Sequence, residues 1–196
     1  MSKTRRGTKT RIERAALTLF IEKGYRGTSI RDITRAAGIT EGALYRHFVS
    51  KAQLAEALFQ KNYETFSATL SGLATGPGPF AERLDAMVMY FCRSFDADPT
   101  LYGYLLLSQH DELRKIDPAG RTPHEILRAA IARAVRRREI RPVDPSLGAA
   151  FVMGLVLETA KFVVYHRLAA TKMVARHPVL ARACRCVLGV AIDARA

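Results

Sequence analysis

The chain has 196 residues, of which 48% are hydrophobic, and this proportion excludes a wholly disordered protein. It carries 31 Lys and Arg against 18 Asp and Glu, and the net charge of +13 favours a polyanionic partner: nucleic acid first, an anionic membrane surface second. Residues 1–51 alone carry 12 Lys and Arg against 4 Asp and Glu, so their net charge of 12 − 4 = +8 is more than half of the total of +13. Three cysteines argue against a disulfide framework and indicate a reducing, cytoplasmic location.

Apolar residues recur at intervals of three and four along almost the whole chain, and alternating strand patterns are absent. The sequence therefore predicts an all-α protein of about nine helices, preceded by a disordered basic arm at residues 1–7. The predicted helices lie at about 8–23, between Ser29 and Gly38, and at 40–46, 51–73, 80–95, 99–113, 122–138, 145–169 and 176–193.

Local signals mark both ends of the second predicted helix. Ser29 and Asp32 fit a capping box, and Gly38 can adopt the left-handed conformation that ends the second helix. A tight turn and another short helix follow, so the first three helices fit a helix-turn-helix unit. We predict a DNA-binding domain at residues 1–51 and a helical ligand-binding and dimerisation domain at residues 52–196.

The third predicted helix, "EGALYRHF", turns Leu44 and Phe48 toward the first two helices. Its outward residues are then Glu41, Gly42, Ala43, Tyr45, Arg46 and His47. The small residues allow a close approach to a groove, where Thr40 and Ala43 are candidates to contact base edges. An ordinary three-helix unit with a solvated face would show the same pattern, and the local excess of positive charge favours DNA over that alternative.

Phosphate contacts set the register of a protein on DNA, and they require hydrogen-bond donors. Donors for phosphate are predicted at Tyr45, His47 and Lys51, and at the amide groups that begin the second helix, with Thr28 and Ser29. The arm supplies Arg5, Arg6 and Lys9, which are candidates to reach a neighbouring minor groove or the DNA backbone.

Residues 24–54, "GYRGTSIRDITRAAGITEGALYRHFVSKAQL", resemble the DNA-binding signature of TetR-family transcriptional regulators. The matching positions are Gly24, Thr28, Ile33, Ala37, Gly38, Gly42, Leu44, Tyr45, His47, Phe48, Ser50, Lys51 and Leu54. The resemblance implies a dimeric repressor that binds a palindromic operator and is released by a small molecule. It also implies DNA contacts by Thr28, Thr40, Tyr45, His47 and Lys51. Glu41 departs from the family, which often has Lys or another polar donor there, so Glu41 either accepts from cytosine or turns away.

The eighth and ninth predicted helices are the best candidates for a dimer interface, and the eighth is apolar on nearly all of its sides. The family resemblance implies an interface of four helices, two from each copy. The predicted interface residues are Phe151, Val152, Leu155, Val156 and Val163. Burial inside one domain is the alternative, and a palindromic operator favours the dimer. The uncharged run at 146–157 is too short to cross a membrane, so we expect a buried helix.

The remaining helices supply large apolar side chains, most of which must form ordinary core. A mostly apolar effector pocket is predicted from a subset of them with a few polar groups. This subset comprises Phe59, Tyr63, Phe66, Met87, Tyr90, Phe91, Tyr102, Leu105, His110, Glu158 and Phe162. Glu158 is equally compatible with a pocket acid and with a residue at the edge of a dimer interface.

Catalytic patterns are absent from the sequence, and no ligand cluster accompanies the cysteines of "CRC" at 184–186. We therefore expect no enzyme activity, no cofactor and no metal. A non-specific, architectural DNA-binding protein remains an alternative to a regulator, as does activation in place of repression.

Overall fold

The computed structural model describes residues 2–112, 122–169 and 171–190, without the side chains of residues 2–6 and 107–112. Within these described residues the chain is all-α, as predicted, and contains no strand. Nine helices lie there: α1 (Ser2–Gly27), α2 (Ile30–Ala37), α3 (Glu41–Tyr45), α4 (Lys51–Thr75), α5 (Phe80–Ala97), α6 (Pro99–Glu112), α7 (Pro123–Arg136), α8 (Pro145–Val164) and α9 (Met173–Val187).

The chain divides into two compact units. The N-terminal unit comprises Met1–Tyr63 and Thr100–Ile116, and the C-terminal unit comprises Glu64–Pro99 and Asp117–Ala196. α4 contributes residues to both, and most of α6 belongs to the N-terminal unit although it follows α5 in the chain. The functional division between residues 51 and 52 stays a prediction.

The core of the N-terminal unit forms around the first four helices. Its large buried residues are Ile12, Leu17, Phe20, Ile33, Leu44, Phe48, Leu54, Leu58 and Phe59. From α6, Tyr104 stacks on Phe20 with ring centroids 5.8 Å apart, and its hydroxyl donates to the carbonyl of Ala55 at 2.9 Å. Burying one such large apolar side chain contributes about 1.5–3 kcal/mol, so packing stabilises the five-residue α3, which is too short to persist alone.

The structure departs from the prediction of a disordered arm, because α1 begins at Ser2. Residues 2–6 include no proline or glycine, so nothing in their backbone prevents the helix from continuing. The predicted end of this helix is better supported. Gly24 interrupts the helical backbone with φ 73° and ψ 162°, which is where the glycine signal placed the end.

The C-terminal unit is held together by contacts between residues far apart in the chain. α5 packs on α9, and α8 packs on both α7 and α9. The Asp96 carboxylate near the end of α5 accepts from the amides of Met173 and Val174 at 2.8 and 2.9 Å, so it caps α9. α9 therefore begins at Met173, three residues before the predicted start, because a distant side chain satisfies its first amides.

Arg83 is a buried cation in the C-terminal unit, with 4% of its surface exposed. Its guanidinium donates to the carbonyl of Gly78 and to the Glu139 carboxylate, the latter at 3.4 Å. Glu139 also accepts from the amide of Phe80 at 2.5 Å. This network joins Gly78, in the turn before α5, to the start of α5 and to the turn after α7.

α8 ends at Val164, before the predicted end at residue 169. The reason is local: His166 adopts a left-handed φ of 54°, and the amide of Arg167 donates back to the carbonyl of Phe162 at 2.8 Å. By length and composition α8 is the one helix among the described residues that meets the criteria for a membrane span. This indication is weak, since core helices also meet them.

Candidate nucleic-acid interface

Both ends of α2 are fixed by the signals that the sequence contains. The amide of Asp32 donates to the Ser29 hydroxyl at 3.1 Å, and the amide of Ser29 donates to the Asp32 carboxylate at 2.9 Å, which completes the capping box. Hydrogen bonds from the hydroxyl and amide of Ser29 lower the pKa of Asp32 below its usual value. At the other end, Gly38 adopts the left-handed conformation with φ 60° and ψ 46°.

The turn between α2 and α3 is also held from α1. The Arg11 guanidinium donates to the carbonyl of Ala37 at 3.1 Å and to the carbonyl of Gly38 at 2.9 Å. These carbonyls end α2 and lack partners within the helix. Arg11 thus fixes the direction in which α3 leaves the turn, a role that the sequence pattern did not indicate because the partners are 26 and 27 residues away.

Thr28 and Lys51, two of the predicted DNA contacts, have interior partners. Thr28 is 2% exposed, and its hydroxyl donates to the carbonyls of Leu19 and Gly24. The Lys51 amine donates to the carbonyls of Tyr25 and Thr28 at 2.8 and 2.7 Å and lies 4.3 Å from the Tyr25 ring centroid. In this arrangement both side chains hold the turn between α1 and α2, so their DNA contacts stay predictions.

α3 presents the outward face that the sequence predicts. Leu44 is fully buried and Phe48 is 3% exposed, whereas Tyr45 is 48% exposed. Glu41, Gly42 and Arg46 are exposed as well, and Ala43 and His47 are half-buried. The Thr40 hydroxyl accepts from the amide of Ala43 at 3.2 Å, so it caps α3 and retains its own proton for donation.

Gly42 is not required by the packing of the described residues. A Cβ built there would meet no heavy atom within 4 Å beyond its neighbours and the backbone of its own helix, in the part of the chain that the structure describes. Glycine costs about 1 kcal/mol relative to alanine inside a helix. A glycine on an exposed helix face therefore fits the close approach of a binding partner.

Glu41 forms an ion pair across the turn. The Arg31 Nε of α2 donates to the Glu41 Oε1 of α3 at 3.3 Å, and the two side chains are 84% and 45% exposed. Arg31 was not among the predicted contacts. Its position on α2 is exposed and basic, but the sequence does not indicate that it reaches a residue ten positions later.

The basic arm is only partly described. Lys9 lies 5.6 Å from the Phe48 ring centroid and 4.0 Å from the Glu13 carboxylate, so it packs along the N-terminal unit. The side chains of Arg5 and Arg6 lie outside the described residues, and their predicted contacts stay predictions.

The predicted effector residues are divided between the units. Phe59, Tyr63, Tyr102 and Leu105 belong to the N-terminal unit, and the side chain of His110 lies outside the described residues. In the C-terminal unit, Phe66 stacks on Tyr90 with ring centroids 5.0 Å apart and meets Phe91 edge-on at 6.2 Å. Met87 of the same unit is buried. Glu158 and Phe162 are exposed on α8, with Glu158 paired to Lys161 at 3.1 Å, so they do not join that aromatic cluster.

The predicted dimer residues lie on two sides of α8. Val152 and Val156 are 3% and 5% exposed within one chain, so they already form core and have little surface left to bury in a dimer. Leu155 and Val163 are half-buried. Phe151, at 42% exposed, is the most exposed of the five predicted dimer residues.

Among the residues that the structure describes, no cluster of metal-binding side chains is found. All three cysteines are free. Burial raises the pKa of Cys92 to about 11 and that of Cys184 to about 12, with smaller contributions from Asp96 and Asp85 respectively, so both stay protonated near neutral pH.

Comparisons with known proteins agree with this arrangement. Residues 12–58 match the family model of bacterial regulatory proteins of the tetR family. The chain is similar to the transcriptional repressor KstR2 of Rhodococcus jostii, with 36% identity over 99 residues, which is 46% of this chain and 45% of that protein. It thus spans about half the length of the first curated relatives that it matches.

A longer match is found to the transcriptional regulator CymR of Pseudomonas putida, with 30% identity over 162 residues, which is 81% of this chain and 72% of CymR. Among solved structures, FadR of Bacillus subtilis in complex with stearoyl-CoA aligns with a TM-score of 0.71 at 20% identity, covering 89% of this chain and 96% of FadR. The chain therefore belongs to the tetR family of bacterial regulatory proteins.

Proposed function

We propose that this protein is a DNA-binding transcriptional repressor that binds a palindromic operator as a homodimer and leaves it when a small molecule binds. The observation that carries the proposal is the contrast between the two sides of α3 and the residues that follow it: Leu44 and Phe48 are buried, while Glu41, Gly42 and Tyr45 are exposed. A cytoplasmic location and the absence of catalysis follow from the same proposal.

The support for DNA as the partner is geometric and electrostatic. α3 is anchored from α1 and α2, and its outward residues include donors for phosphate and small residues that allow close approach. The amides of Ile30 and Arg31, which precede the capped amide of Asp32 in the first turn of α2, offer a further site for a phosphate. The net positive charge of residues 1–51 adds a sequence-independent attraction.

The support for a homodimer comes from α8 and α9. These helices pack on each other and both leave large apolar side chains exposed: Leu147, Phe151, Phe162 and Tyr165 on or at the end of α8, and Val179 and Val187 on α9. A second copy would cover such side chains, and its two-fold symmetry would match a palindrome. Replacing Phe151 and Phe162 with Glu should yield monomers in sedimentation experiments, whereas Val49→Glu, at a 74% exposed position of the N-terminal unit, should not.

The effector is expected to be largely apolar, because the residues predicted to line its pocket are mostly aromatic and aliphatic. The FadR neighbour was solved with stearoyl-CoA, and at 20% identity that likeness supports the fold alone. Acyl-CoA thioesters are the first compounds to screen, because their acyl chain is as apolar as the expected effector. We further propose α4 as the coupling element, because it contributes residues to both units. The effector must bind the DNA-free conformation more tightly, typically by ~1–3 kcal/mol.

Selection of bound sequences from random DNA tests the proposal. A repressor of this kind yields one palindromic consensus, bound far more tightly than random DNA at physiological salt. An architectural protein yields no consensus, and its binding depends almost entirely on salt. Compounds are then screened for release from the selected sequence, and turnover of any compound by the purified protein would revive the enzyme alternative.

A further inference from the structure

We infer that Arg31 reads a guanine in each operator half-site and that Glu41 is the positioning residue that holds its guanidinium. This inference rests on the proposed function, since it names a residue that sets the sequence preference of the same surface. Neither the outward pattern of α3 nor the family resemblance assigns a DNA contact to Arg31.

The ion pair explains how a carboxylate can stand at the DNA-facing end of α3. Glu41 is the first residue of α3, where the helix dipole favours a negative charge. Its Oε1 accepts from Arg31 Nε at 3.3 Å, so the carboxylate meets a cation of its own chain before it meets a phosphate. The repulsion expected between Glu41 and the DNA backbone is thereby reduced.

The geometry of the guanidinium determines what the pair can recognise. Arg31 uses Nε–H on Glu41, which leaves the two terminal nitrogens as a parallel pair of donors on a side chain that is 84% exposed. Two parallel N–H donors match the O6 and N7 acceptors of guanine in the major groove. The carboxylate favours side-chain conformations of Arg31 in which those donors point away from Glu41.

Charge distinguishes a guanine contact from a phosphate contact. Arginine attracts phosphate because it is a cation, but the Arg31–Glu41 pair is neutral as a whole and gains little from the charge of the DNA backbone. Directional hydrogen bonds do not depend on net charge in this way. Removal of water at the interface also strengthens the ion pair, so guanidinium and carboxylate are held together most firmly on DNA.

The test compares sequence preferences of full-length variants selected from the same random DNA. Arg31→Lys keeps the charge and removes the two parallel donors, so we expect the preference for guanine at one position of each half-site to fall by roughly ten- to a hundredfold. Glu41→Gln should weaken the preference at that same position by a smaller factor. It should also raise affinity for random DNA and steepen its salt dependence, because a negative charge is lost.

The matched control is Arg35→Lys, at an exposed position one helical turn further along α2, which should leave the preference at that position unchanged. Thermal unfolding of each variant confirms that it folds, as expected for exposed residues whose ion pair contributes little to stability.

Three results overturn the inference while leaving the proposed function intact. Arg31→Lys and Glu41→Gln could lower affinity for all sequences equally, which would make Arg31 a phosphate contact. Glu41→Gln could change a position that Arg31→Lys leaves alone, which would make Glu41 a direct reader of a base. The consensus could also be the same for all variants. A wild-type protein without any consensus overturns the proposed function and the inference together.

Discussion

The start of α2 in the N-terminal unit and the start of α9 in the C-terminal unit are set by different kinds of contact. In the N-terminal unit, the signals that begin and end α2 lie within a few residues of one another, as in the Ser29–Asp32 capping box and the left-handed Gly38. In the C-terminal unit, side chains bridge long stretches of chain, as Asp96 does with Met173, 77 residues away. This difference explains why the sequence indicates a function for the first unit and only a fold class for the second.

The largest expected effect tests the long-range contacts. Glu139→Ala removes the partner of the buried Arg83 and leaves its charge uncompensated, so we expect a loss of about 3 kcal/mol in the free energy of unfolding. Chemical denaturation measures it. The control is Arg137→Ala: Arg137 lies 3.8 Å from the same Glu139 but is 63% exposed, and its loss should cost less than about 1 kcal/mol. Equal losses would show that the network does not stabilise the C-terminal unit.

A smaller effect tests the local signals. Gly38→Ala forces an alanine into a left-handed conformation with φ 60°, which costs about 1–2 kcal/mol. The added Cβ would lie 3.4 Å from the Arg11 guanidinium, so strain in the backbone should dominate over crowding. Thermal unfolding is the measurement, and Gly72→Ala, in α4 with open space around its Cβ, is the control. A destabilisation no larger than the control's would contradict the turn assignment.

The cap on α9 gives an effect of similar or smaller size. Asp96→Ala leaves the amides of Met173 and Val174 without their carboxylate, and loss of a helix cap costs about 1 kcal/mol. Asp96→Asn retains one side-chain oxygen and should recover part of that loss. Hydrogen exchange at the start of α9 measures the effect locally. Unchanged protection there in Asp96→Ala would mean that other contacts fix the start of the helix.

The sequence predicts as much as its local signals contain. Both ends of α2 and the outward face of α3 follow from residues within one or two helical turns, and those predictions agree with the structure. The start of α9 cannot be predicted from local signals, because it depends on a side chain from α5. The burial of Val152 within one chain cannot be predicted either, because it depends on the helices packed against α8. Spacing along one helix could not separate Val152 from the exposed Phe151.

The same limit applies to the candidate interface. Lys51 and Thr28 have the residue types of phosphate contacts, yet their partners are interior carbonyls. Conversely, Arg11 and Arg31 gain their significance from partners 26 and 10 residues away, which no motif encodes. Outward residues can therefore be predicted from periodicity, while the side chains that hold them in place require the fold.

The smallest expected effect on stability carries the sharpest functional contrast, because it concerns a second glycine of the same unit. Gly42 has no need of a left-handed backbone, and a Cβ there meets open space among the described residues. Gly42→Ala should therefore leave the free energy of unfolding unchanged or raise it by up to about 1 kcal/mol.

On DNA the prediction for Gly42→Ala reverses. The added methyl group lies on the exposed face of α3, where the backbone would approach the groove, so affinity for the selected operator should fall although the protein is at least as stable. Titration of a labelled operator gives the affinity, and Gly72→Ala is again the control. If Gly42→Ala binds the operator as tightly as the wild type, the face that contains Glu41 and Tyr45 does not approach DNA closely. Loss of stability in Gly38→Ala together with loss of binding in Gly42→Ala would show that Gly38 shapes the helix-turn-helix, whereas Gly42 allows its close approach to DNA.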